Sequence, residues 1–388
     1  MPDCLSRQCI TAFAAALYGR RKNSERARKE GVRLYVESLT KLNLQLAEVP
    51  EGSAAGQTAL SIGILTTCEC LVASSNNGWV QHMVGLATFY RHCPFEMFEE
   101  PTVLRHYEGV RFSMIAAAIA ARRPMGLMSE EWQTLPWDLA GSTKSQRHYL
   151  LDHTSHLPDL YIEYANYFQT TDIEGKSALG KSLEPKLKHL LHTLREWELY
   201  WNVQEKTQPK EDVLPERQKR EYGFATKLVF DDLDNSAITY LLFNATLIIV
   251  LELWRAFRRT RSALSADTGD FAEFDKRYQP NPSELVDDDY RDTSDESQAA
   301  EPSMSSIISQ SREAALHICR ALPPYQTQSG GWRYPFHLTT AIRMALVVLR
   351  QDEASPQAAW LESVVQQIGE TQQGWEVGKY MMDGLGYY

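Results

Sequence analysis

Apolar residues recur every three or four positions along almost the whole chain, and that period limits what it can fold into. A helix turns once in about 3.6 residues, so this spacing gathers apolar side chains on one face, whereas a strand would alternate them. "ITAFAAALYGRR", "SERARKEGVRLYVESLTKLNLQLAE" and "GQTALSIGILTTCECLVAS" show the pattern near the N-terminus. "WVQHMVGLATFYRHC" and "VLRHYEGVRFSMIAAAIAARR" continue it, and Pro124 closes the latter run. In "MSEEWQTLPW", Ser129 stands at an N-cap position, and Glu130 and Glu131 follow where negative charge suits a helix start. Further helices are expected over 145–171, 176–204, 233–260, 304–321, 336–351 and 356–370, with Pro158 breaking or kinking the first. There is no internal repeat and no succession of strand and helix. The expectation is an all-α protein, a single large helical domain over 1–388 with roughly a dozen packed helices.

One segment departs from the pattern. From Ser262 to Glu301 twelve acidic residues face three basic ones, so most of the net charge of −10 lies there. With Pro280, Pro282 and Pro302 and little periodicity, 262–303 reads as a long, exposed, flexible acidic loop. A nearly neutral body with such a loop lacks the clustered Lys and Arg that phosphate backbones demand, so direct nucleic-acid binding by this chain is not expected.

The 43% apolar and 23% charged content is that of an ordinary globular protein. No apolar run approaches the roughly 20 residues that span a bilayer, and "MPDCLSRQC" is not a secretory signal, so an intracellular protein without a membrane span is expected. Cys4, Cys9, Cys68, Cys70, Cys93 and Cys319 lack metal-ligand spacing and read as reduced, mostly buried thiols.

Several short motifs carry possible chemistry. "EGKSALGKS" (174–182) spells the phosphate-binding loop, with Gly175, Gly180, Lys181 and Ser182 in place. The run before it, "LYIEYANYFQTTDIE", is helical in period rather than a buried strand, so the match lacks its required context. "DDYRD" (288–292) has the spelling of a diphosphate-enzyme magnesium motif but lies in the acidic loop, where a solvated charge run is the plainer reading. "FDDLDNSAITYLLFNATLIIVLELW" gathers Asp231, Asp232, Asp234 and Asn235 at a helix start, with Asn244 and Glu252 two turns apart on one face beyond. A cap followed by polar residues in a buried helix explains the same letters. His153 and His156, and His189 and His192, are three apart on helix faces without an implied acidic partner. No G-x-S-x-G or H-E-x-x-H occurs.

Longer stretches are more specific. "WVQHMVGLATFYRHCPFEMF" (79–98) resembles the tryptophan–histidine–glycine helix and arginine–proline turn of the fungal-specific transcription factor domain. That domain is the regulatory region found after the binuclear zinc cluster in fungal regulators. "YEGVRFSMIAAAIAARRPMGLMSEEWQTLPW" (107–137) is similar to its arginine-bearing helix, arginine–proline break and W-x-x-x-P-W ending. "AALHICRALPPYQTQSGGW" (314–332) resembles its late I-C-R-S-x-P-Y segment. The resemblance runs in order from about residue 8 to the C-terminus. The six-cysteine zinc-cluster spacing is missing.

The resemblance implies a regulatory domain in fungal specialised metabolism, resident in the nucleus and free of cofactors. It would bind an apolar effector, terpenoid or sterol-like, or a partner protein, as a homodimer or beside an intact regulator. A second implication is an enzyme on the same scaffold, because atypical humulene-forming terpene cyclases resemble this domain. Such a cytoplasmic enzyme would ionise a prenyl diphosphate with Mg²⁺. Its metal-side candidates here are Asp231, Asp232 and Asn235, with Asn244 and Glu252 next and Lys227 the nearest cation.

Overall fold

The computed structural model describes residues 4–47, 52–72, 78–203, 208–268, 303–326, 335–352 and 354–371. The N-terminal half comprises α1 (Cys4–Arg21), α2 (Glu25–Ala47), α3 (Gly52–Val72), α4 (Gly78–His92), α5 (Pro101–Ala121) and α6 (Glu130–Leu139). Then come α7 (Gln146–Thr154), α8 (Leu157–Gln169), α9 (Ile173–Val203) and α10 (Glu216–Tyr222), which lies between β1 (Lys210–Val213) and β2 (Thr226–Val229). The series closes with α11 (Ile238–Thr268), α12 (Met304–Ala321), α13 (Pro335–Leu349) and α14 (Pro356–Thr371). The fold is all-α, as the period predicts.

Small residues set the first contact. α1 and α2 form an antiparallel hairpin whose backbones nearly touch: a Cβ on Gly31 would lie 2.7 Å from the Ala16 nitrogen. Ala12, Ala16, Gly31 and Ser38 are all buried along this crossing. α3 closes over the hairpin, with the Ser6 and Ser61 hydroxyls 2.9 Å apart.

The buried apolar residues fall into two clusters. One runs from Leu5 to Leu151 and centres on aromatics, with Tyr107 packed edge-on to Tyr90 and Phe98 at 5.2 and 5.3 Å between ring centres. The other runs from Leu150 to Val364 and surrounds α11, which packs against α9, α12 and α13. Phe112 and Ile119 of α5 touch both clusters, so α5 lies on the seam. The late segment that resembles I-C-R-S-x-P-Y buries Ile318, Cys319 and Tyr325, and the Tyr325 hydroxyl donates to the Leu233 carbonyl at 2.8 Å.

Four local expectations change. The break expected at Pro158 falls at Ser155–His156, and Pro158 sits in the first turn of α8, where its missing N–H costs no hydrogen bond. "TKLV" (226–229) is a strand, paired antiparallel with Lys210–Val213 in the register Asp212↔Lys227. The segment expected as loop over 262–303 begins inside α11, which continues to Thr268, and ends at Ser303, the N-cap of α12; 269–302, including Asp288–Asp292, lie outside the described residues. Finally, Ala54–Val72 and Leu233–Ser262 are long and apolar enough to cross a membrane by length and composition, contrary to the sequence reading. Of their apolar windows 67% and 89%, respectively, are buried against other parts of the protein, which gives these faces a partner inside the fold.

Burial ranks the helices' contributions. Leu251→Ala, in the centre of α11 with no exposed surface, is expected to cost about 2–5 kcal/mol. Leu199→Ala, at a side chain 68% exposed, should change stability by no more than about 0.5 kcal/mol. Urea unfolding of the two variants measures the contrast.

Candidate functional site

The six residues singled out as diphosphate-site candidates do not converge. Asp232 is an N-cap whose Oδ1 accepts from the Asp234 and Asn235 backbone N–H groups at 3.0 Å each, starting the turn that leads into α11. Asp231 points to solvent and pairs with Lys210 at 3.1 Å. Lys227, expected beside Asp231, lies on β2 and pairs across the ladder with Asp212 at 3.2 Å. The Asn235 carbonyl accepts from Thr239 Oγ1 at 2.6 Å and from Arg147 at 3.1 Å. Asn244 is buried and its side-chain N–H donates to the Tyr240 carbonyl at 2.9 Å, while Glu252 pairs with Arg255 at 3.3 Å on the same helix. Among the described residues, no three His, Cys, Asp or Glu side chains are grouped so as to hold a metal ion. This donor set does not fit a magnesium centre, because one candidate carboxylate caps a helix and another is tied to a surface lysine.

The phosphate-loop spelling lies in the first turns of α9, where the Asp172 carboxylate accepts from the Gly175 N–H at 2.6 Å. A helix cannot wrap its own N–H groups around a phosphate, since beyond the first turn they are bonded within the helix. His192 is on the surface beside Glu196, at 3.3 Å. Ser129 occupies its N-cap position, but its hydroxyl satisfies no backbone N–H. All six thiols are free and all but Cys4 are buried; burial pushes Cys68 up to about 12, so it stays a thiol.

The densest polar structure was invisible in the short motifs. Arg111 of α5 has no exposed surface and donates to Asp152 Oδ1 at 2.7 Å and to the His148 carbonyl at 3.1 Å. Lys144 holds the other oxygen of Asp152 and donates to the Gln133 carbonyl at 2.7 Å. Trp137, from the W-x-x-x-P-W segment, lies with its ring centre 5.3 Å from the Arg111 guanidinium and 4.5 Å from the Lys144 ammonium. Its indole N–H donates to Glu108 Oε1 at 2.8 Å. One carboxylate thus serves two buried cations, and two aromatic faces (Tyr107 is the other, at 5.5 Å) share the positive charge. Burial depresses Lys144, and Asp152 acts against it. His148 is held down to about 3, first by burial and then by Arg111, Arg147 and Lys144, so it stays neutral although Glu108 is 3.3 Å away. Three cations outweigh one partly exposed acid.

A second buried set joins α2, α3 and α4. The Tyr35 hydroxyl donates to Glu69 Oε2 at 2.6 Å and lies 2.8 Å from His82 Nε2. Both sets are closed: their members mostly satisfy one another and offer little to a solute.

Open space lies between α4 and α5. A groove of about 190 Å³ has Val84, Ala87, Met114, Ala118 and Met125 on its floor, and Arg91 and Arg123 also line it. Val84, Ala87, Thr88 and Arg91 fall on one helical face, and Met114 and Ala118 are one turn apart on α5. Gly126 has φ +68°, and a Cβ there would come within 2.7 Å of the Arg91 side chain, so a glycine lets the arginine lie over the turn. Set against known proteins, the chain matches no family model, no curated protein and no solved structure.

Asp152→Asn leaves two buried cations without a counter-charge and is expected to cost about 3–5 kcal/mol. Lys144→Met should cost less, since Arg111 keeps its carboxylate. Equilibrium unfolding of the pair tests this order. The histidines add a pH dependence. Between about pH 6.5 and 3 the unfolded chain binds a proton at His148 that the folded chain refuses, and His106, held down to about 4 by burial, behaves alike. Stability from these groups is therefore complete above pH 6.5 and falls with acidification, by up to about 1.4 kcal/mol per pH unit for each. The urea midpoint should drop from pH 7 to pH 5, and His148→Gln should flatten that slope.

Proposed function

We propose that this chain is a regulator-type domain that binds an effector without turning it over and acts on transcription through a partner protein. The observation that carries the reading is the commitment of the polar groups. Asp231, Asp232, Lys227, Asn244 and Glu252 each serve a local pair or hydrogen bond, and the Arg111–Asp152–Lys144 centre is sealed from solvent. Catalysis of diphosphate ionisation needs acids and cations aimed at one point, where charge develops in the transition state. Binding needs only a concave apolar surface and a few orienting groups, and the α4–α5 groove offers both. The resemblance of 79–98, 107–137 and 314–332 to a fungal regulatory domain supports the same reading, and nuclear residence follows from it.

Fused to an unrelated DNA-binding domain in a fungal host, the chain is expected to change reporter transcription. Incubated with farnesyl diphosphate and Mg²⁺, it should release no hydrocarbon above the buffer control. A hydrocarbon product that disappears in a folded Asp232→Asn variant would overturn the proposal in favour of the cyclase.

A further inference from the structure

We infer that the groove between α4 and α5 binds a small amphipathic carboxylate, its tail on the apolar floor and its charge held by Arg91 and Arg123. This deepens the effector-binding reading and rests on it. The floor is apolar, built from Val84, Ala87, Met114, Ala118 and Met125, and methionine adapts its shape to an unbranched or aromatic tail. Thr88 spends its hydroxyl proton on the Val84 carbonyl at 2.9 Å, which leaves its methyl group and an acceptor oxygen for the groove. No acidic side chain lines the groove, and among the described residues the side chain of neither Arg91 nor Arg123 has an ion-pair or hydrogen-bond partner.

The two arginines also stand at helix ends. Arg91 is in the last turn of α4, and Arg123 follows the left-handed Arg122 that terminates α5. Each helix C-terminus carries the equivalent of about half a negative charge, and each guanidinium a full positive one. Both dipoles are therefore offset with roughly one positive charge to spare. A guanidinium meets a carboxylate through two parallel hydrogen bonds, which a neutral head group cannot reproduce. The size is also selective. About 190 Å³ is the liquid volume of about six water molecules and lies below the roughly 300–1,000 Å³ of pockets for drug-sized ligands. A medium-chain or single-ring acid suits it better than a sterol.

Methionines labelled with ¹³C at the methyl group supply the readout. Met114 and Met125 line the groove, whereas Met304 and Met344 lie on α12 and α13. The full chain would be titrated at pH 7 with octanoate, with 1-octanol and with inorganic phosphate. Octanoate should shift the Met114 and Met125 resonances saturably and leave Met304 and Met344 in place. The Arg91→Gln/Arg123→Gln double variant, altered only at exposed positions, should stay folded with a small drop in its unfolding midpoint from the two lost helix-end charges, and should bind octanoate about tenfold or more weakly. Octanol and phosphate should each bind the native chain at least that much more weakly.

Octanol binding as tightly as octanoate, or a double variant binding like the native chain, would overturn the carboxylate assignment while the apolar-effector reading stands. Phosphate binding as tightly would reduce the site to a plain anion patch and overturn it too. If no probe moves Met114 or Met125, the groove is not the site; shifts confined to other methionines then preserve an effector site elsewhere, and no shift anywhere counts against both readings.

Discussion

A guanidinium with no exposed surface, held by a single carboxylate, fixes how the helices of this protein meet. Arg111 projects from α5, the helix on the seam between the two apolar clusters, and its partner Asp152 stands on α7, which also serves both clusters through Leu150 and Leu151. Desolvating such a pair costs several kcal/mol per ion, and only close geometry with further hydrogen bonds repays it. Here the His148 carbonyl, Lys144 and the faces of Tyr107 and Trp137 fill most of the shell, and the Arg111 Nε–H is left without a partner. An apolar contact can slide by a fraction of an ångström. A charge pair sealed in the interior loses most of its return if it does, so it sets register as well as contributing energy.

That register reaches the groove. Ala118 lies seven residues beyond Arg111 on nearly the same face of α5, about 10 Å along the axis. The helix that carries Arg111 thus also presents Met114 and Ala118 to the groove, beside Val84 and Ala87 of α4. The Tyr35–Glu69–His82 set likewise ties α2, α3 and α4 together through buried polar groups. The buried polar groups of these sets are in the main structural, whereas the side chains of Arg91 and Arg123 line the groove without a partner among the described residues.

How much of this was legible in the sequence depends on the range of the interactions. Helices follow from local period, and "VLRHYEGVRFSMIAAAIAARR" became α5 with Pro124 just beyond its end. The hairpin was missed because four-residue strands carry too few alternations to be seen, and "TKLV" reads equally well as a stub of helix. Asp231 and Asp232 left two readings open, because a cap and a metal ligand require the same short acidic side chains in the same place; the Asp232 contact with two backbone N–H groups agrees with the cap. Arg111 and Asp152 are 41 positions apart, and nothing local announces that they will meet. Arg91 and Arg123 stood in the sequence only as the arginines of two separate arginine–proline features. Their common groove exists only once α4 and α5 are packed.

The most direct test of this account asks whether the Arg111–Asp152 contact joins the two clusters into one folding unit. Fluorinated tryptophan reports on both sides at once: Trp79 and Trp132 belong to the N-terminal cluster, Trp254 and Trp360 to the C-terminal one. Followed by ¹⁹F NMR through a urea titration, the four signals should lose intensity together in the native chain. In Arg111→Met they should separate into two transitions. Separate transitions already present in the native chain, or a single shared one persisting in the variant, would contradict the claim that this buried pair is what couples the two cores.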